Sequence, residues 1–300
     1  MMMLEQLAEL VEKHRDAIGA RVQDFSLGGR AFAFNTAPAI MGVVNLSADS
    51  WYRESVCLSA DAAIQRGLVL AAQGAAIIDV GAESSLAHAA RVDDAGQKSA
   101  LLPVVKALRE QGVLVSVETY QPAVTRACLE AGANILNLTG TDRSDEMFRM
   151  VAAHDAAVII CFVEGANVRE VSDFDLNGDT TAKMHGYFAR QIDLATRNGV
   201  KKIFIDPGLG FYYRNLQDSA VRVRHQMRTF LNTFRLRTLG WPTCHALPHA
   251  FEFFGEEVRC AEPFFAVLAA LGKTDLFRTH EVPRIKAVID TLGVYSLAKG

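Results

Sequence analysis

Asn45, Glu83, Glu118, Asn137, Asp206, Arg278 and His280 share one property: each stands at or just past the end of a strongly apolar run. Amides and charges in such places cannot be buried cheaply without partners, so they mark where a fold turns polar atoms toward a ligand or toward one another. Glu118 in SVETY and Asp206 in IFIDPGLGF are acceptors, and Asn137 in ILNLTG is both donor and acceptor. Two acceptors and an amide meeting at one point suit a flat heterocycle with several ring N–H donors, because an ionised carboxylate accepts two of them at once. Arg278 and His280, two apart in FRTHEV, project from one strand face and can grip a single anion. Asn45 in IMGVVNLSADSW can offer an amide oxygen to a hard cation or an N–H to a phosphate.

Each reading has a plainer counterpart. Asn45 and Asp49 are also good turn formers. Asp79, inside the run IIDVG, must find donors or a countercharge, and Glu83 just beyond it can either bond loop amides or touch ligand. Arg278 can pair with a barrel carboxylate instead of an anion. Cys244, His245 and His249 could be imagined around a metal, but three residues on one strand with no fourth ligand read better as packing.

Scattered polar residues converge only if the fold brings strand ends together. Eight apolar runs, at residues 39–46, 75–81, 113–119, 134–138, 157–163, 202–206, 243–247 and 275–279, alternate with helix-like stretches. The helices are expected at 60–73, within 92–111, and at 122–130, 146–154, 180–197, 216–239, 261–271 and 283–292. Runs such as AAIIDV, AAVIIC and KKIFID are apolar throughout rather than alternating, as strands covered on both faces must be. This pattern predicts an α/β protein of the (β/α)8 TIM-barrel class, whose loops at the strand C-termini form one mouth. A doubly wound sheet is the competitor, and the lack of a glycine-rich fingerprint after the first strand disfavours it. Ahead of the barrel, residues 3–18 carry leucines at helical spacing, expected either to cover the barrel bottom or to meet a second subunit. Residues 25–34, centred on Gly28-Gly29, alternate as a hairpin that would plug or cover the barrel. The expected organisation is an N-terminal helical extension over 1–24 and a barrel over 25–300.

A chain of 300 residues, half of them hydrophobic and 22% charged, fits one large wrapped core. A formal charge of −3 argues against a nucleic-acid partner while leaving room for a local anion pocket. The five cysteines form no CxxC pair and read as reduced, buried thiols. Acidic and basic residues interrupt the first fifteen positions, and no run reaches the ~18 apolar residues of a membrane span. The expectation is a cytoplasmic protein with a small-molecule partner, no membrane contact and, by default, a homodimer.

Taken together, these fragments resemble the dihydropteroate synthase family of pterin-binding TIM barrels, with the likeness running from about residue 25 to 292. In that family an Asn in an NVTPDSF-like segment, matched by Asn45 in NLSADSW, helps hold magnesium and pyrophosphate. The carboxylate of SIDT matches Glu118, the Asn of IINDISG matches Asn137 and the Asp of LDPGIGF matches Asp206, which implies contacts to the pterin edge. The Arg and His of RVHDV match Arg278 and His280, which implies the pyrophosphate site. The resemblance implies Mg2+ and a pterin or folate ligand. The chemistry it implies is displacement of pyrophosphate from a dihydropterin pyrophosphate by the amine of 4-aminobenzoate.

The departures fall on particular motifs. The family's STRPG reads Ser85-Leu86-Ala87-His88, its SRKS lysine segment reads Pro248-His249-Ala250-Phe251, and its Met-His pair reads Cys161-Phe162. The glycine-rich part of the first loop becomes Trp51-Tyr52-Arg53-Glu54-Ser55. His249 lies where it could donate in place of the lysine, conditionally on its protonation. These changes leave three readings: a transferase with an altered or lost second reaction, a tetrahydrofolate-dependent methyltransferase on the same barrel, or a non-catalytic pterin or folate binder.

Overall fold

The computed structural model describes residues 4–47, 55–84, 89–211 and 213–297. Asp49, residues 51–54 of the first loop and residues 85–88 lie outside them. Among the described residues, ten strands run in chain order as β1 (Phe25–Leu27), β2 (Arg30–Phe32), β3 (Ala39–Asn45), β4 (Ile77–Gly81), β5 (Val115–Thr119), β6 (Ile135–Leu138), β7 (Ala157–Cys161), β8 (Ile203–Asp206), β9 (Cys244–Ala246) and β10 (Leu276–Thr279). The helices are α1 (Leu4–Lys13), α2 (Arg15–Ile18), α3 (Ala60–Ala72), α4 (Asp94–Glu110), α5 (Pro122–Glu130), α6 (Ser144–Ala153), α7 (Thr180–Arg197), α8 (Ser219–Leu236), α9 (Phe251–Phe254), α10 (Ala261–Leu271) and α11 (Val282–Leu297).

The eight later strands pair in parallel in the order β8-β7-β6-β5-β4-β3-β10-β9. A parallel bridge between Ile205 and Thr243, with Ile205 N–H donating to the Pro242 carbonyl at 3.0 Å, joins the two remaining edges and closes the barrel. The expected TIM barrel is therefore the fold. Each crossover contains a helix, and Ser59, Asp93, Asp179 and Asp218 start α3, α4, α7 and α8 by accepting a backbone N–H of the first turn. All eight expected runs form strands, most of them a residue or two shorter than the apolar run that announced them.

The period-2 alternation of strand side chains divides the barrel lumen into two storeys. Met41, Ile77, Ile135, Ile159, Phe204 and Leu276 belong to one buried apolar cluster inside the barrel. Two residues further along the same strands stand Asp79, Asn137, Cys161, Asp206 and Arg278, so a polar storey sits on the apolar one. The β1–β2 hairpin closes the apolar storey from below, as the plug reading expected. Gly28 and Gly29 turn it at positive φ (51° and 83°). Phe25 and Phe34 pack edge-on against Phe204 with ring centroids 5.2 and 5.4 Å apart.

The N-terminal extension differs from expectation. His14, at φ −125° and ψ 36°, breaks the helix predicted over 3–18 into α1 and α2. With the bottom already occupied by the hairpin, these helices lie along the barrel's flank, where Leu7 and Leu10 share a shallow groove with Val223, Met227 and Leu231 of α8. No helix among the described residues is long and apolar enough to cross a membrane.

Candidate functional site

The polar storey opens into one cavity at the C-terminal end of the strands, lined by Asn45, Glu83, Glu118, Asn137, Asp206, His249, Arg278 and His280 together with Leu209, Phe211 and Gln226. Every site residue expected from the sequence is in that wall. The convergence follows from topology, since each sits at the end of a parallel strand or in the loop after it.

Arg278 forms the hub. Its Nε donates to Asp79 Oδ2 at 2.7 Å and a terminal nitrogen donates to Glu118 Oε2. Burial alone would favour losing its proton, but the two carboxylates outweigh that and hold the guanidinium above its ordinary value. Asp79, fully buried within β4, thus finds the countercharge its position demanded, and it also accepts from Asn137 Nδ2 at 3.2 Å. Asn137 Oδ1 accepts from the Cys161 thiol at 3.4 Å. The sequence left open whether Arg278 faces an anion or a barrel carboxylate. Its structural partners are two carboxylates, although the side chain still borders the cavity.

The acceptors at the rim are poised near neutrality. Burial pushes the Glu118 carboxyl up to about 7, with Arg278 opposing the rise. Burial likewise lifts Asp206 to about 6, against the Gly208 N–H that donates to its Oδ1 at 2.7 Å. Gly208 makes that bond at φ 74°, and a Cβ there would lie 2.4 Å from the Phe162 carbonyl oxygen, so only glycine fits the turn. Glu83 supports the wall: its Oε1 accepts from Val92 N–H at 3.1 Å and its Oε2 from the Tyr120 hydroxyl at 2.7 Å, tying the loop after β4 to the loop after β5.

A second group surrounds Glu262 of α10. Its carboxylate receives the Thr279 hydroxyl, the His280 N–H at 3.1 Å and the Glu281 N–H at 3.3 Å. The His280 Nδ1 lies 2.7 Å from Oε1, and the His249 Nδ1 lies 3.5 Å from the same oxygen. Burial pulls His249 down to about 4 and His280 down to about 3, so both imidazoles are neutral at pH 7. His249 therefore offers an N–H where the family resemblance expects a lysine, but no charge. Cys244, His245 and His249 do not form a cluster: His245 is fully buried, with its Nε2 2.8 Å from the Thr233 hydroxyl and its ring against Phe230.

Two contributors had no place in the sequence reading. Glu262 looks there like an ordinary acidic residue in the first turn of a helix, which the helix dipole favours anyway. Arg169, in the polar stretch after β7, is buried and donates to the Ser84 and Ala89 carbonyls at 2.6 Å each, fastening both ends of the loop that follows β4. Its charge, in a stretch the sequence reads only as polar loop, was the one hint of it.

Comparison with known proteins places the chain among relatives of known type. Residues 41–244 match the family described as "Pterin binding enzyme". The dihydropteroate synthase of Synechocystis sp. is 28% identical over 269 residues, covering 85% of this chain and 89% of that protein. The type-3 dihydropteroate synthase of Escherichia coli is 27% identical over 259 residues, covering 85% and 97%. Among solved structures, the Xanthomonas albilineans dihydropteroate synthase in complex with 7,8-dihydropteroate superposes with a TM-score of 0.73 at 25% identity, covering 91% of this chain and 98% of that one. The chain belongs to the pterin binding enzymes and, within them, to the dihydropteroate synthase family.

Proposed function

We propose that the protein is a transferase that binds a dihydropterin carrying a diphosphate and joins it to an amine. The observation that supports this most directly is that Glu118, Asn137 and Asp206 share one cavity wall with Asn45 and His280, in a chain whose family binds pterins. Asn137 and Asp206 are assigned to the ring edge, where an amide and a carboxylate match alternating acceptors and N–H donors. Glu118 is assigned to the same edge, held in place by Arg278. Asn45, Arg278 and His280 are assigned to the diphosphate end, and His249 to the neighbouring wall.

In the reaction the amine lone pair forms a bond to the methylene carbon of the pterin side chain. The bond from that carbon to diphosphate oxygen breaks, and the amine proton leaves to solvent. A free arylamine is nucleophilic at neutral pH, so the protein's task is to hold the ring, aim the methylene and stabilise charge on the departing group. Asn45 offers one amide oxygen, a hard ligand of the kind magnesium takes, while its Nδ2 is 2.6 Å from the Ser55 hydroxyl oxygen. Magnesium, when bound, would be held by Asn45 and add positive charge beside the diphosphate.

The changed residues bear on the second substrate. The family's STRPG segment, whose arginine belongs to the aminobenzoate loop, reads Ser85-Leu86-Ala87-His88 here, so we expect 4-aminobenzoate to be a poorer nucleophile than an amine lacking a carboxylate. The test is diphosphate release from 7,8-dihydropterin pyrophosphate with 4-aminobenzoate and with a panel of uncharged arylamines. Release with any of them supports a transferase. Tetrahydrofolate binding without release would favour a methyltransferase, and pterin binding without either chemistry would leave a binder.

A further inference from the structure

We infer that His249, Glu262 and His280 form a binding site for a divalent transition metal of the zinc or ferrous class at the rim of the cavity. One ligand atom from each residue lies within 4.8 Å of the other two. The three come from separate elements: the loop after β9, the first turn of α10 and the residue following β10. Their convergence is therefore tertiary, not an accident of sequence neighbours. The ring centroids of the two histidines are 5.0 Å apart, and both Nδ1 atoms face Glu262 Oε1.

The chemistry of the donor set selects the metal. Two imidazole nitrogens and one carboxylate oxygen are the protein ligands of open, reactive zinc and non-haem iron centres, whereas magnesium takes oxygens. The surroundings suit such a role. Glu262 is held from behind by the Thr279 hydroxyl and two backbone N–H groups, which fix the carboxylate as outer partners fix a metal ligand. Both histidines border the cavity while Glu262 is buried beneath them, so the remaining coordination positions would face the ligand.

The site also has work to do. Arg278 shares its charge with Asp79 and Glu118, so a cation at this rim would add to what Arg278 and magnesium at Asn45 offer a diphosphate in the same cavity. This assignment of role rests on the transferase reading, whereas the metal site itself does not.

Cobalt(II) is the probe, because its visible d–d absorption reports coordination directly. Chelator-treated full-length protein titrated with Co2+ should bind one equivalent in a low-symmetry, open site, and Zn2+ should displace it. His249→Ala should weaken binding by at least about tenfold, and Glu262→Gln should do the same; thermal unfolding of each variant checks that it is folded. His249→Ala lies at the cavity surface, so it keeps the test decisive if the Glu262 variant does not fold. Absence of a stoichiometric cobalt spectrum in the wild type, or an unchanged spectrum and affinity in His249→Ala, would overturn the site. Stoichiometric cobalt binding alongside failure of diphosphate release would refute the transferase reading and leave the metal site standing.

Discussion

Asp206→Asn separates what the site costs the fold from what it gives the ligand. The carboxyl is buried and its titration rises from 3.8 to about 6, chiefly through burial. A rise of that size means that ionising Asp206 costs the folded state on the order of 3 kcal/mol. The sign follows from linkage: a carboxyl raised in the folded state leaves stability intact below its unfolded value and removes it as the pH climbs through the folded value. Asparagine is nearly the same shape, keeps an oxygen for the Gly208 N–H and never ionises. The variant should therefore match the wild type near pH 4, gain through pH 6, and be more stable by about 3 kcal/mol at pH 8. Ligand binding should move the other way. Exchanging a carboxylate oxygen for an NH2 group removes a charge-assisted bond worth about 1.5–3 kcal/mol, roughly a 10- to 150-fold loss of pterin affinity. Denaturant unfolding at pH 4 and pH 8, with calorimetric titration of a pterin at pH 8, reads both effects. A variant whose stability advantage over the wild type is no larger at pH 8 than at pH 4 would show that Asp206 bears no burial penalty, and undiminished pterin affinity would remove it from the ring edge.

Arg278→Ala should destabilise the protein by about 3–5 kcal/mol, because it strands Asp79 and Glu118 without their shared cation. Adding Asp79→Asn to that variant should recover part of the loss, and a single variant within 1 kcal/mol of wild type in denaturant unfolding would contradict the hub. Gly208→Ala combines a positive φ with a Cβ 2.4 Å from the Phe162 carbonyl. It should cost at least about 1 kcal/mol and reduce pterin affinity by displacing the N–H that holds Asp206; wild-type affinity in calorimetry would show that the turn does not orient the carboxylate. Pterin affinity in the wild type should strengthen from pH 5 to pH 8, since ring N–H donors favour the ionised forms of Asp206 and Glu118, which burial holds near 6 and 7. A flat profile after correction for the ligand's own titration would mean that the ring meets neutral acids.

What the sequence could and could not disclose follows from which interactions are local. The barrel strands were legible because covering a strand on both faces forces an unbroken apolar run, and Asp79, Asn137 and Asp206 were legible as breaks in such runs. Their choice of partner was not. Arg278 lies 199 residues from Asp79 and 160 from Glu118 in sequence, so only the closed register of β10 beside β3, and of β3 beside β4, decides that the guanidinium meets carboxylates. The hairpin was visible through Gly28-Gly29, whereas its place under the barrel depends on Phe204 lying inward on a distant strand. Glu262 was hidden for a different reason: an acid in the first turn of a helix already has a sufficient local explanation in the dipole, so nothing in the sequence asks for another. Its fully buried carboxylate, gathering a hydroxyl, two backbone amides and two imidazoles, shows that the local explanation was incomplete. Sequence reasoning finds residues that violate their surroundings, and it passes over those that satisfy a local rule and a tertiary one together. For that reason the departure at 249 and the hidden acid at 262 carry more weight jointly than either does alone. The neutral His249 replaces a lysine in the family pattern, and Glu262 supplies the oxygen that brings it into register with His280.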